Sequence, residues 1–185
     1  QAYEKGLLGK NILGTNFSFD VDVSLTGESY VAGEETALMD AIEGKRSMPR
    51  SKPPFPAAFG VWGKPTNINN VKTLAYIPSI IQNGGEWFKN IGVNKSTGTA
   101  IICLSGKINN PGLYEVPLGI SIGQVINEIG GGVPGGNKIK LLQTGGPLGG
   151  VLGEAGLEIN IDFDEMAQAG AILGSGGIIV ADETT

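Results

Sequence analysis

Two adjacent carboxylates follow a glycine in "YVAGEETALMDAIEGK", residues 30–45, where an extended apolar stretch gives way to a helical pattern. Glu34 and Glu35 therefore stand at a helix start. The first N–H groups of a helix have no acceptor inside it and carry the positive end of its dipole, so a carboxylate there is stabilised by about 0.3–1 kcal/mol. One reading of the pair is two first-turn charges that complement this dipole. The other is a pocket in which a negative pair positions or tunes a bound group. A second helix start follows "NINN", residues 67–70, where Asn69 or Asn70 can cap "VKTLAYIPSIIQN". Such a terminus serves as a plain cap or as a seat for a phosphate.

The residue types that are missing narrow the chemistry further. The chain has no histidine, and its one cysteine, Cys103, sits in the apolar run "TAIICLSG" and reads as a buried strand thiol. Zinc sites, cysteine-ligated clusters, disulfides and histidine-based triads cannot be assembled from such a set. No catalytic acid, base or nucleophile and no metal ligand is assigned. Any reaction must rely on carboxylates, amides, backbone N–H groups or a borrowed cofactor.

The 185 residues, 41% of them hydrophobic, suffice for one large domain or two small ones. Thirteen basic against eighteen acidic residues give a net charge of −5, with no Lys/Arg cluster to neutralise a run of phosphates, so nucleic acid is not an expected partner. No segment approaches the ~20 apolar residues of a membrane span, so direct membrane insertion is not expected. The low cysteine usage favours a reducing, cytoplasmic setting. Glycine supplies 31 residues, more than twice the average share of about 7%. Many lie between the strand-like runs "KIKLLQTGG", "GLEINIDF" and "GIIVADE", as tight turns between short strands require.

These patterns divide the chain into blocks 1–96 and 97–185. In the first, Phe17, Phe19, Val21 and Val23 alternate with polar residues at the period of a half-buried strand. A helix follows from Glu34, with Ala37, Leu38, Ala41 and Ile42 on one face and Gly44 as its stop. Residues 47–70, with five prolines, form a loop laid over the surface, and the next helix is kinked or broken at Pro78. The polar stretch "NKSTGT" marks a hinge. In the second block "TAIICLSG" and "GLYEV" form a hairpin, with Pro111 and Gly112 at the centre of a type II turn. Ser121 caps "ISIGQVINEIGGG" and "KIKLLQTGG" resumes as a strand. Strand, strand, helix, strand is the order of a β-grasp domain.

Taken together, "GEETALMDAIEGKRSMPRSKPPFPAAFGVWGKPTNINNVKTLA" resembles the NADH-binding FMN subunit of respiratory complex I and its relatives in NAD-linked hydrogenases and formate dehydrogenases. "GKNILGTNFSFD" is similar to that family's entry into its flavin domain, and residues 98–180 look like its soluble-ligand-binding β-grasp (SLBB) domain. "QTGGPLGG" and "GSGGIIVADE" are more similar to the hydrogenase-type members. The resemblance implies an α/β fold: the C-terminal part of a flavin-binding Rossmann-like domain over 1–96, then a β-grasp domain over 97–185. It also implies hydride transfer from NADH to FMN and electron passage to iron-sulfur clusters on partner subunits. By motif, Gly33, Glu34 and Glu35 line the flavin and nicotinamide pocket, with Glu35 on the nicotinamide side. Asn69, Asn70 and Thr73 hold the ribityl and phosphate end. Lys52 lies near the dinucleotide diphosphate and Phe55 near its base. Ala32 stands where many relatives carry cysteine. The family's "GRGGAGFP"-type loop and its cysteine-rich 4Fe-4S domain do not occur in the chain, so the resemblance is to an internal fragment that is inactive alone. The alternatives are a non-catalytic β-grasp module that docks a ligand or partner, and a structural scaffold.

Overall fold

The computed structural model describes residues 1–27, 29–146 and 149–185, so Glu28 of the expected strand region and Pro147 and Leu148 of "QTGGPLGG" lie outside the described residues. Two compact units emerge, Gln1–Leu74 and Ala75–Thr185. This division falls inside a helix, ahead of the 96/97 boundary that the sequence suggests. Residues 75–96 group with the second unit because the Tyr76 hydroxyl bonds the Thr99 carbonyl at 2.5 Å and its ring lies 5.2 Å from Phe88. Gly98 leaves the room that Phe88 needs, since a Cβ there would meet the ring at 2.3 Å.

In the first unit the alternating segment does not form a half-buried strand. Gly9 and Phe19 make an isolated bridge, and Phe17, Phe19, Val21 and Val23 are all more than half exposed. An extended segment buries one face only when a ladder and a covering layer hold it. Among the described residues, its only backbone pairings are the bridge to Gly9 and a single bond from the Ile12 N–H to the Phe17 carbonyl, which do not make a ladder. Helix α1, Glu35–Ile42, forms as expected and ends before Gly44, whose φ of +74° suits glycine. Its buried side is Thr36, Ala37, Met39 and Asp40, while Ile42 is exposed. After an irregular stretch with one short turn, Val61–Gly63, helix α2 spans Val71–Asn83 and runs through Pro78 without a break.

The second unit opens with α3, Gly85–Lys89, and a ribbon of β1, Gly92–Val93, and β2, Ser96–Thr97. The sheet that follows has the strands β3, Thr99–Gly106; β4, Gly112–Pro117; β5, Ile139–Thr144; β6, Val151–Leu152; and β7, Gly177–Asp182. Their order is β4-β3-β7-β5-β6, with β3 and β7 parallel at the centre and the other neighbours antiparallel. First and last strands side by side, flanked by two hairpins, is the β-grasp arrangement expected. Helix α4, Ile122–Gln124, continues into a wider turn over Val125–Ile129 and starts with a reciprocal capping box between Ser121 and Gln124. Ile122, Val125 and Ile126 pack in one core with Ile102, Leu104, Leu142, Ile178 and Val180.

Three local expectations give way here. Cys103 is exposed, because its neighbours Ile102 and Leu104 occupy the core face and the side chain between them points outward. Gly112 opens β4 without a positive φ, so no type II turn centres on it. The reversal is held from outside instead, by the Asn109 and Asn110 N–H groups donating to the carbonyls of Gly132 and Gly130. In "GLEINIDF" a short turn, Glu154–Glu158, and helix α5, Phe163–Gln168, replace the strand, with Asp162 accepting from the Asp164 and Glu165 N–H groups as the cap of α5.

At the end of β7 the buried Asp182 ties the sheet to the final residues. Its carboxylate accepts from the Thr184 hydroxyl at 2.6 Å, the Thr184 N–H, the Thr185 hydroxyl and the Asn137 amide. The Thr184 hydroxyl acts against burial, and with Asn137, Thr185 and the Thr184 N–H it lowers the Asp182 carboxyl from 3.8 to about 2. A carboxyl lowered by folding contributes stability that is full above its ordinary value and disappears as pH falls through its folded one. Urea denaturation of wild type and Asp182→Asn between pH 6 and 2 should therefore give a stability gap that is constant above about pH 4 and closes toward about 2. A gap that stays constant over the whole range would contradict this assignment.

Candidate functional site

Glu34 has extended backbone torsions, φ −69° and ψ 137°, which turn its side chain back over the start of α1. Oε2 accepts the Thr36 N–H at 2.9 Å, the Ala37 N–H at 3.0 Å and the Thr36 hydroxyl at 2.5 Å. Glu34 thus caps the helix, a position usually held by a shorter Ser, Thr, Asp or Asn. Burial disfavours its charge, yet the Thr36 hydroxyl, the Ala37 and Thr36 N–H groups and the nearby Lys52 together hold its carboxyl below the ordinary range.

Glu35, the first residue inside α1, makes a different contact. It forms a hydrogen-bonded ion pair with Lys52, both side chains being about one-third exposed. This hydrogen bond raises the Lys52 ammonium above its usual value, against partial burial and with help from the charges of Glu35 and Glu34. Gly33 precedes the cluster, and a Cβ there would meet nothing within 4 Å, so the approach to the helix start is open on that side. The structure therefore gathers Gly33, Glu34, Glu35 and Lys52 at one point. Phe55, three residues beyond Lys52, is 59% exposed, and its carbonyl closes a turn by accepting the Ala58 and Phe59 N–H groups.

The remaining predicted residues form a second cluster at the start of α2. Asn70 is the cap, its Oδ1 accepting the Lys72 N–H at 2.8 Å. Asn69 bonds Asn67 and lines a cavity of about 330 Å³ with Leu38 and Ile42 of α1 and Leu74 of α2. Thr73 is exposed in the first turn of α2. The two clusters are distinct, and α1 links them, with carboxylates at its start and apolar side chains facing the cavity along its flank.

Sequence reasoning missed Thr36 and Arg50. Thr36 is 2% exposed, and besides bonding Glu34 it accepts the Arg50 N–H at 2.8 Å. The Arg50 Nε lies 3.4 Å from the buried Asp40 carboxylate, so the Arg50 residue meets α1 twice. The fourteen-residue separation of Thr36 and Arg50 leaves no periodic or spacing signal. A cavity of about 550 Å³ beside Glu43, Arg50, Phe59 and Trp62 was likewise not foreseen.

Among the described residues no group of three or more His, Cys, Asp or Glu side chains could hold a metal ion, and no helix is long and apolar enough to cross a membrane. The site offers carboxylates, an ammonium, amides and helix starts: groups that bind and orient, with charge of both signs.

Such a site ahead of a β-grasp sheet defines a class, a largely irregular segment with two polar helix starts joined to a small β-grasp fold. Residues 1–79 match the Nuo51 FMN-binding domain family and residues 101–152 the SLBB domain family, so the two segments belong to these families in that order. It is 52% identical over 182 residues to the NADP-reducing hydrogenase subunit HndC of Solidesulfovibrio fructosivorans, covering 98% of this chain and 37% of that protein. It is 46% identical over 185 residues to an NADH-quinone oxidoreductase subunit of Rhizobium meliloti (strain 1021), covering 100% of this chain and 44% of the relative. A crystal structure of an NAD+-reducing NiFe-hydrogenase in the H2-reduced state aligns with a TM-score of 0.79 and 32% identity over 91% of this chain and 28% of that one. The chain thus spans less than half the length of the curated relatives it matches.

If Glu34 is the cap that this geometry makes it, Glu34→Ala should destabilise the first unit by about 1 kcal/mol, within the ~0.5–2 kcal/mol usual for a lost cap. Glu34→Gln, which keeps an acceptor and loses the charge, should cost about 0.3–1 kcal/mol. Urea melts followed by hydrogen exchange at the Thr36 and Ala37 amides test both, and unchanged exchange in Glu34→Ala would refute the assignment.

Proposed function

We propose that the chain supplies the NADH- and FMN-facing part of a flavoprotein that oxidises NADH and passes electrons to iron-sulfur clusters on partner subunits. The observation that carries this reading is the Glu34–Glu35–Lys52 cluster at an open helix start, within a stretch matched to an FMN-binding family. FMN, when bound, supplies the hydride-accepting chemistry and the change from two-electron to one-electron transfer. Everything else asked of these residues is position and field.

Glu34 keeps its charge because the cap holds it ionised. Glu35 accepts N–H groups from the nicotinamide carboxamide, and Lys52 turns from Glu35 toward the diphosphate. Phe55 packs against the base. At the other cluster the first N–H groups of α2, with Asn69, Asn70 and Thr73, take the flavin phosphate and ribityl hydroxyls, where the helix dipole favours an anion. The 4Fe-4S cluster takes its ligands from outside this chain. The reading places the protein in the cytoplasm.

A second reading, in which the β-grasp part docks a partner or ligand without catalysis, is favoured by Ile101, Leu113 and Ile179 standing exposed on its sheet. The two readings separate on flavin. The 185-residue chain alone, whose described site is open toward Gly33, should purify colourless and should not reduce ferricyanide with NADH. A yellow preparation with one FMN per chain that oxidises NADH would overturn this.

In the complete enzyme, Glu35→Gln should weaken NADH binding about 10- to 100-fold, the usual effect of losing a charged hydrogen-bond partner. The flavin midpoint potential should rise, because a negative charge leaves its surroundings. Stability should change by less than about 1 kcal/mol. A variant with a normal KM for NADH and a normal potential would reduce Glu35 to a helix-start residue.

A further inference from the structure

The Thr36 hydroxyl has one proton to give and lone pairs to receive with, and its surroundings fix how both are used. The ionised Glu34 carboxylate can only accept, so the hydroxyl donates to Oε2 at 2.5 Å. The Arg50 N–H can only donate, so the same oxygen receives it at 2.8 Å. With Thr36 only 2% exposed, water has no room to replace either partner. One turn further along the same face of α1, Asp40 faces the Arg50 guanidinium, with Oδ1 3.4 Å from Nε. The loop that leaves Arg50 as "RSKPPF" is therefore pinned to α1 by its backbone at Thr36 and by its side chain at Asp40, and it delivers Lys52 two residues later and Phe55 five residues later.

We infer that Thr36 is a positioning residue for dinucleotide binding: its hydroxyl joins the Glu34 cap to the Arg50 backbone and so fixes where Lys52 and Phe55 stand relative to Glu35. This rests on the reading above that Lys52 and Phe55 meet the dinucleotide. The Lys52–Glu35 pair cannot do the same work, being about one-third exposed and of the kind that contributes little by itself. It must also open for Lys52 to reach a diphosphate. The Thr36 contact does not have to change when ligand arrives, which is what a fixed reference point requires. Misplacing a binding group by about 1 Å is enough to cost about 10²-fold.

The test uses the complete NADH-oxidising complex, with ferricyanide as acceptor and flavin content measured for each variant. Thr36→Val keeps the shape and removes the hydroxyl; Thr36→Ser keeps the hydroxyl and removes the methyl group. Thr36→Val should raise the KM for NADH at least about fivefold, with kcat within about twofold and flavin content unchanged, and Thr36→Ser should restore KM to within about twofold of wild type. Hydrogen exchange over residues 50–55 should quicken in Thr36→Val alone. Should Thr36→Val fail to assemble, Thr36→Ala, which also deletes the hydroxyl and adds no bulk, is read in its place. Lys52→Met separates the positioning role from the binding site itself. If Lys52→Met raises KM and Thr36→Val does not, the positioning role is wrong while the site stands. If Thr36→Ser is as impaired as Thr36→Val, side-chain shape and not the hydroxyl is responsible, and the inference fails. If Lys52→Met leaves KM unchanged, the functional reading fails and takes this inference with it.

Discussion

The unpaired N–H groups at the start of α1 set the terms for the first unit. A helix that begins at Glu35 must find acceptors for its first amides, and the chain uses the carboxylate of Glu34, reinforced by the Thr36 hydroxyl. That choice makes the two adjacent glutamates unequal. Glu34 is committed to the backbone and kept ionised by three donors to one oxygen, whereas Glu35 is left to face Lys52 at the surface. A single local requirement thereby produces one fixed negative charge and one exchangeable contact. The helix-start reading of the glutamate pair holds, and the pocket reading is compatible with it: a residue that satisfies a helix start is also a fixed negative charge at that point.

The second unit solves a different problem. Its cohesion comes from apolar side chains of the central strands β3, β7 and β5 meeting the helix at Ser121–Ile129, and glycine enters where backbone must approach backbone. At Gly176, φ is +80° and a Cβ would stand 2.0 Å from the Ile101 carbonyl, and at Gly106 a Cβ would stand 2.2 Å from the Val180 carbonyl. These two glycines flank the parallel β3–β7 pairing and let the chain enter and leave it without steric conflict. The high glycine content is in this part a packing device, and the contrast with the irregular first unit follows from it. One unit is ordered by its core; the other is ordered by polar contacts at a helix start and along one loop.

That contrast also decides what could be read from the chain. The capping Ser121, the hairpin, the helix from Glu35 and the β-grasp order were legible because each depends on residues near one another or on a period of two or about 3.6. The strand at 17–23 was misread because alternation reports a pleated backbone and says nothing of whether a second strand pairs with it. Cys103 was misread because an unbroken apolar run conceals which alternate residues face outward. The turn at Pro111–Gly112 was misread because its support comes from Gly130 and Gly132, far along the chain. Of the site residues that the resemblance implies, the structure brings Gly33, Glu34, Glu35 and Lys52 together at the start of α1 and sets Asn69, Asn70 and Thr73 at the start of α2, while Phe55 stands in an exposed turn. The Thr36–Arg50 contact has no local signature, since a backbone N–H looks alike at every residue.

The electrostatics of the first cluster bear on what it accepts. Glu34, Glu35 and Lys52 together carry one net negative charge, in a chain whose overall balance is −5, while a dinucleotide brings negative phosphates. Attraction over long range is therefore not what draws such a ligand in; at physiological salt, charges beyond about 8 Å are largely screened in any case. What remains are short-range exchanges. On the proposed reading Lys52 would leave one anion for another, so its move would cost little Coulomb energy, and Glu35, released from Lys52, would gain an acceptor's role that suits a carboxamide donor. Each exchange is close to neutral unless the incoming group presents a phosphate and an amide at the right separation together. A cluster built this way discriminates by geometry more than by charge, and the geometry is set by how the loop leaves Arg50. On the proposed dinucleotide-binding reading, the buried contact at Thr36, though it touches no ligand, would for that reason be where specificity in this part of the molecule is fixed.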